Sequence, residues 1–300
     1  MTKLAISNQD SKELLTVNTD TLKMFITIAQ AGSISAAAQQ LGYAQSNIST
    51  KLQQLERDLN TRLFYRNNRG IVLTATGQQL LQRASQIVQL TDRTITDIQH
   101  PNDVRGRLRL GTLQAAASTF LPPILSHYHQ HYPKVTLTIQ TGTTLTNTQA
   151  VLNYQVDGAI IGGTVNDDAL ISIPLMQEPL CLITATSSMA DIHHTPILVF
   201  PVGCAYRKTL ERWLDSQQIT LHYPVEFDYL NAIIASVSAG LGMSILPTRV
   251  VQPYVDAGVL NAVTLPAPFA TLPVTFIYRQ DTVMSAPFDH FITAIRHYHD

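Results

Sequence analysis

The chain has 300 residues, 45% of them apolar and 14% charged, with a formal net charge of −1. That length leads to an expectation of two or three compact units rather than one small domain. Two cysteines without CxxC spacing argue against a disulfide framework or structural zinc, and the uncharged, apolar-rich stretch Ala232–Thr248 is broken by Gly240, Gly242 and Pro247 where a membrane span needs about 20 mostly apolar residues.

Residues 1–16 are polar, carry no apolar signal core and read as a loose arm, so a cytoplasmic location is expected. Helical periodicity begins at Leu22, with Phe25, Ile26 and Ala29 on one face, and Gly32 is a suitable stop. Ser33 or Ser35 can cap a second helix that ends at Gly42, and a third runs from Gln45 to about Leu59. Two helices joined by a short glycine-containing turn match a helix-turn-helix, although an ordinary helical hairpin has the same local signals. In the third helix Ile48, Leu52 and Leu55 form an apolar stripe, while Gln45, Ser46, Ser49, Thr50 and Gln53 stand near the N-terminus of the other face. Hydroxyl and amide side chains suit base edges, and recognition helices bring their N-terminal residues to the major groove. A merely solvated face would more often hold Lys and Glu.

Arg62–Arg66 and Ile71–Thr74 are β-prone runs around the turn Asn67–Gly70, which predicts a hairpin carrying Arg62, Arg66 and Arg69 toward phosphates or a minor groove. Residues 17–74 hold six basic and three acidic side chains, whereas from Val104 onward there are ten basic and thirteen acidic ones. A basic head on an acidic body fits a nucleic-acid contact confined to the N-terminal end. Thr74 or Thr76 can cap a long helix reaching about His100, in which Leu81, Ala84, Val88, Thr91, Ile95 and Ile98 alternate as an a/d seam. Such a stripe predicts a linker helix that pairs two subunits.

Strand and helix patterns then alternate, which argues for parallel α/β sheets whose ligands lie beyond the strand carboxyl ends. Those ends carry Thr112 and Gln114, Thr143 and Thr144, then Gly162 and Gly163, and Cys204 and Arg207 open a later helix. An organic anion or another small polar metabolite is the expected ligand, held by hydroxyls, amides and helix N-termini. As an alternative, Cys204 beside Arg207 at a helix start could have a lowered thiol pKa and sense oxidants. No HExxH, GxSxG, GxGxxG or phosphate-loop motif is present, so an enzyme is the less favoured class and no catalytic residue, cofactor or metal is assigned. An architectural DNA-binding protein with a degenerate sensor is a further alternative. Of His127, His129 and His131 only the outer two share a helical face, and a surface helix is preferred to a metal site.

The run Gly32–Ala38, with Leu41, Gln45–Ser46, Ser49, Leu55–Glu56, Leu63–Phe64, Arg66, Leu73–Thr74 and Gly77, resembles the LysR-type transcriptional regulators. The resemblance implies a winged helix-turn-helix over residues 17–74 and a linker helix over 75–103. It also implies a regulatory domain over 104–300, made of two Rossmann-like subdomains resembling periplasmic binding proteins (I, about 104–180 and 264–300; II, about 181–263). Base reading falls on Gln45, Ser46, Ser49 and Thr50, the wing arginine on Arg66 or Arg69, and the loop around Gly240 looks like the family's own and is counted among the expected effector residues. Implied partners are double-stranded DNA at a palindromic operator, a small-molecule effector, further copies of the chain in a homodimer or homotetramer, and RNA polymerase. Two departures stand out: Ala44 replaces the usual capping Ser or Thr, and Thr50 stands where many members have Arg.

Overall fold

Helix α1 (Thr19–Ala31) starts where the Asn18 side chain accepts the Thr21 amide and stops at Gly32, which takes the left-handed conformation with φ of 62°. It belongs to a computed structural model that describes residues 17–67, 70–99, 103–185, 195–221 and 224–297, so the proposed arm at 1–16 lies outside the described residues. Two units are distinguished, Met1–Ile95 and Thr96–Asp300.

In the first unit Ser33, not Ser35, caps α2 (Ile34–Leu41), and Gly42 ends it. Helix α3 (Gln45–Asp58) follows, then strands β1 (Phe64–Asn67) and β2 (Gly70–Leu73), paired antiparallel as the predicted hairpin. Thr74 caps the long helix α4 (Ala75–Gln99) by accepting the Gly77 amide at 2.9 Å. Gly77 has no room for a side chain, since a Cβ there would lie 2.1 Å from the Leu63 carbonyl oxygen. Phe25, Ile28, Ile48, Leu52, Leu55 and Leu63 are at most 1% exposed. Each contributes about 1.5–3 kcal/mol by leaving water, which is why the α3 stripe faces inward. Glu56 then fixes the wing, its Oε1 accepting the Leu63 amide at 2.8 Å.

The expected seam on α4 is exposed only in part. Leu81 and Ala84 are buried, while Ile87, Leu90, Ile95 and Ile98 are 50, 55, 49 and 75% exposed. The start of the stripe is therefore covered, and the outward face contains its last members, Ile95 and Ile98, together with Ile87 and Leu90, which the heptad reading left out.

The second unit opens with β3 (Gly106–Thr112), α5 (Gln114–Ser118), α6 (Leu121–His131), β4 (Val135–Thr141), α7 (Thr144–Leu152), β5 (Gly158–Gly162) and the 15-residue β6 (Leu170–Thr184). It continues with β7 (Leu198–Val199), α8 (Ala205–Ser216), β8 (Val225–Glu226), α9 (Leu230–Ser238), β9 (Ser244–Pro247), α10 (Thr248–Asp256), β10 (Asn261–Thr264), β11 (Thr271–Arg279) and α11 (Ala286–His297). In the first sheet β3 pairs parallel with β4 and β5, as expected, whereas β11 pairs antiparallel with β5 and with β6, so the sheet is mixed. Beyond Pro179 the same β6 strand leaves β11 and pairs with β9 and β10. A bridge from Ile197 to Met243 brings β7 and its parallel partner β8 alongside. One strand thus belongs to two sheets, and the chain returns from the second to the first between Thr264 and Thr271. One apolar core runs through both, from Leu108 and Phe276 to Trp213 and Leu246. No helix among the described residues is long and apolar enough to cross a membrane.

Candidate nucleic-acid interface and effector cleft

Ser46, Ser49, Thr50 and Gln53 stand at i, i+3, i+4 and i+7 of α3, on the face opposite the buried Ile48, Leu52 and Leu55. Ser46, Thr50, Gln53 and Gln45 are exposed and Ser49 is half-buried. The Thr50 hydroxyl donates back to the Ser46 carbonyl at 2.9 Å, so its proton is engaged within the helix. At the start of α3, Ala44 is extended and provides no side-chain cap. Backbone amides of the first turn therefore carry the positive end of the helix dipole without a capping oxygen.

The wing is placed by backbone contacts. Ile71 donates its amide to the Gly32 carbonyl at 3.1 Å, and the Arg62 carbonyl accepts the Thr74 hydroxyl at 2.8 Å. Arg62 projects into solvent. Arg66 lies in β1 opposite Ile71, with its backbone alone described, and Arg69 lies outside the described residues. Sequence reasoning missed Tyr43, which is 50% exposed with the Lys51 ammonium 5.0 Å from its ring centroid. An aromatic residue in the turn between two helices of such a motif was the available signal.

The expected effector residues do meet at one place, with Gly240 as the exception. Two walls face each other there: the ends of β3, β4 and β5 on one side, and the segments opening α8 and α9 on the other. Gln114 spans them, its Nε2 donating to the Asp228 carbonyl at 2.7 Å and its Oε1 accepting the Leu230 amide at 2.8 Å. The Leu145 amide donates to the Gly203 carbonyl at 3.2 Å. A Cβ on Gly162 would lie 2.7 Å from that of Ala205, so the walls touch and the cleft is closed.

Closure changes what these residues can offer. Thr112 is wholly buried, its hydroxyl donating to the Leu113 carbonyl at 3.3 Å. Thr144 is occupied by Gly162, whose carbonyl accepts its hydroxyl and whose amide donates to it. Thr143 caps α7 by accepting the Thr146 amide and remains half-exposed. Arg207 is not an open anion ligand: its guanidinium donates to Glu211, to Glu226 and to the Phe200 carbonyl. Gly240 does not belong to the cleft at all. It lies past the C-terminal end of α9, whose N-terminal end meets Gln114, and a helix of nine residues is about 13 Å long. Val202 and Tyr229, 74% and 66% exposed beside the second wall, were not foreseen.

The thiol of Cys204 is also corrected. It is buried, and that burial outweighs the amides of Arg207 and Tyr206 and the Arg207 charge, so its pKa is raised and not lowered. A buried, protonated thiol is a poor nucleophile, so the lowered pKa on which the redox reading rested is not present in this conformation, and the effector reading fits better. Cys181, in β6, is likewise buried and raised.

Comparison with known proteins agrees with this geometry. Residues 19–78 match the family profile described as bacterial regulatory helix-turn-helix protein, lysR family, and residues 101–300 match the LysR substrate binding domain. The chain is 38% identical over 277 residues to the HTH-type transcriptional regulator YofA of Bacillus velezensis, covering 92% of this chain and 96% of the relative. Among solved structures, a full-length OxyR of Pseudomonas aeruginosa superimposes with a TM-score of 0.69 at 20% identity, covering 94% of each chain. CbnR complexed with its target DNA does so with a TM-score of 0.60 at 22% identity, covering 94% of this chain and 100% of that one. The chain belongs to the LysR family of bacterial helix-turn-helix transcriptional regulators, proteins that bind DNA, form oligomers and are not enzymes.

Proposed function

We propose that α3 reads an operator through Gln45, Ser46, Ser49, Thr50 and Gln53, with Arg62 and the wing arginines Arg66 and Arg69 on the backbone. The observation that carries this is the uncharged polar face of α3, set opposite a fully buried stripe on an uncapped helix. A DNA phosphate supplies the oxygen that Ala44 lacks. Two such domains, paired through α4, engage the two halves of a palindromic site, and pairing of regulatory domains makes a homotetramer. A small polar metabolite enters between the walls joined by Gln114 and shifts the balance of open and closed forms by its differential affinity for them. The resulting change in DNA bend alters access of RNA polymerase.

Genome-fragment capture with footprinting tests the DNA half. A discrete palindromic footprint is expected for the parent chain. It disappears in Gln45→Ala plus Ser49→Ala and weakens alike on all sequences in Arg62→Ala, because base contacts specify and phosphate contacts position. A footprint that the helix variant leaves unchanged overturns the assignment.

A further inference from the structure

Histidine is concentrated at the end of α6, and the structure adds a second helix to that cluster. His290 of α11 stacks on Tyr132, with ring centroids 4.6 Å apart and planes 19° from parallel. His127, His131, Tyr132 and His290 line a groove of about 360 Å³ over the buried Ile124 and Tyr128. The rings of His127 and His131 are in contact, with centroids 4.3 Å apart.

The tautomer of His131 follows from its neighbour. Its Nδ1 lies 2.9 Å from the His127 carbonyl oxygen. A carbonyl only accepts, so Nδ1 carries the proton and the lone pair of the neutral ring is left on Nε2. Metal-binding imidazoles are held in this way, one N–H on a backbone carbonyl and the other nitrogen on the ion. Among the described residues no carboxylate lines the groove, which disfavours Mg²⁺ and Ca²⁺, whereas imidazole suits Zn²⁺ and Cu²⁺. Among the described residues no three ligating side chains already converge. A common ion would therefore require the rings of His127 and His131 to turn toward one point and His290 to leave its stack on Tyr132.

We propose that this groove binds one divalent transition-metal cation, Zn²⁺ or Cu²⁺, through His131 Nε2, a ring nitrogen of His127, and His290. The bound ion clips α6 to α11.

The test is calorimetric titration of the tag-free full-length chain with ZnCl₂ and with CuCl₂ at about pH 7.5, above the ordinary imidazole value. One equivalent is expected per groove. The affinity falls by at least about tenfold in His127→Ala, His131→Ala and His290→Ala. It is unchanged in His129→Ala, which lies off the groove face. Melting of each variant without metal separates a lost ligand from a lost fold, and His131→Gln serves where alanine fails to fold. No saturable uptake of either ion, or uptake that survives loss of His131 or of His290 at full affinity, overturns the site. Because DNA binding plays no part in this readout, its failure leaves the operator assignment intact.

Discussion

Gln114 holds Leu230 across the effector cleft: its side-chain oxygen accepts the Leu230 amide at 2.8 Å while its nitrogen donates to the Asp228 carbonyl at 2.7 Å. One carboxamide thus satisfies a donor and an acceptor on the far wall, and no other residue type of that length does both. Gln114→Ala is expected to lower the melting temperature of the regulatory half by about 2–4 °C, the equivalent of a loss near 1 kcal/mol in a unit of this size. Gln114→Glu keeps the acceptor for Leu230 and loses the donor, so it falls between. Small-angle scattering checks the geometry, since the alanine variant broadens toward open forms. If both variants melt and scatter like the parent, Gln114 is not a latch.

The uncapped start of α3 gives a second expectation. Ala44 already has the extended backbone of an N-cap and lacks only an oxygen. Ala44→Ser is therefore expected to stabilise the DNA-binding unit by about 1 kcal/mol. Chemical denaturation followed through that unit measures it. A destabilised variant shows that residue 44 makes an unrecognised contact.

The local half of this structure was legible because its signals are local. Gly32 and Gly42 stop helices where left-handed backbone is needed, and the stripe Ile48, Leu52, Leu55 fixes the inner face of α3. The strand β6 was not legible as one element in two sheets, since its partners lie about 60 to 110 residues away and no local pattern marks the change at Pro179. Arg207 looked like an anion ligand because Glu226, nineteen residues on, ties it only in three dimensions. The glycine loop misled through Gly240. Its neighbour Gly242 explains part of the loop structurally, as a Cβ there would lie 2.1 Å from the Pro196 carbonyl oxygen. Burial of Cys204 was likewise invisible, and its sign reversed the thiol argument.

That reversal is testable in its own right. The Cys204 and Cys181 thiols are buried and raised, so native protein is expected to react with a disulfide reagent orders of magnitude more slowly than unfolded protein. Two thiols titrate only after denaturant is added. Rapid native labelling of Cys204, lost in Cys204→Ser, restores the redox reading.

The outward face of α4 predicts oligomerisation through residues the heptad reading passed over. Ile87 and Leu90 are half-exposed in the single chain, so replacing both with Asp removes little from the monomer's own core. A charge at each position is incompatible with a paired apolar seam. Ile87→Asp plus Leu90→Asp is expected to lower the oligomeric state by sedimentation velocity, with its far-ultraviolet spectrum unchanged. A variant that stays fully assembled shows that pairing runs through other surfaces.

Glu178 supplies a pH dependence. It is 2% exposed on β6, opposite Leu272, and its Oε1 has no hydrogen-bond partner. Burial pushes its carboxyl above the ordinary value of 4.5, and the opposing charge of Arg249 only reduces that rise. A raised folded value means that the native state holds the proton where the unfolded chain has released it. Its favourable contribution is therefore complete below the unfolded value and is lost as pH rises through the folded one. Glu178→Gln keeps a neutral, nearly isosteric group at every pH. The difference in stability, variant minus parent, is expected to be flat below the unfolded value and to rise in favour of glutamine from there up to the folded value. Denaturant unfolding at a series of pH values measures this difference, in which all other titrating groups cancel. A flat difference throughout shows that the carboxyl is solvated in the native state, and one that rises toward acid shows that it is held as the carboxylate.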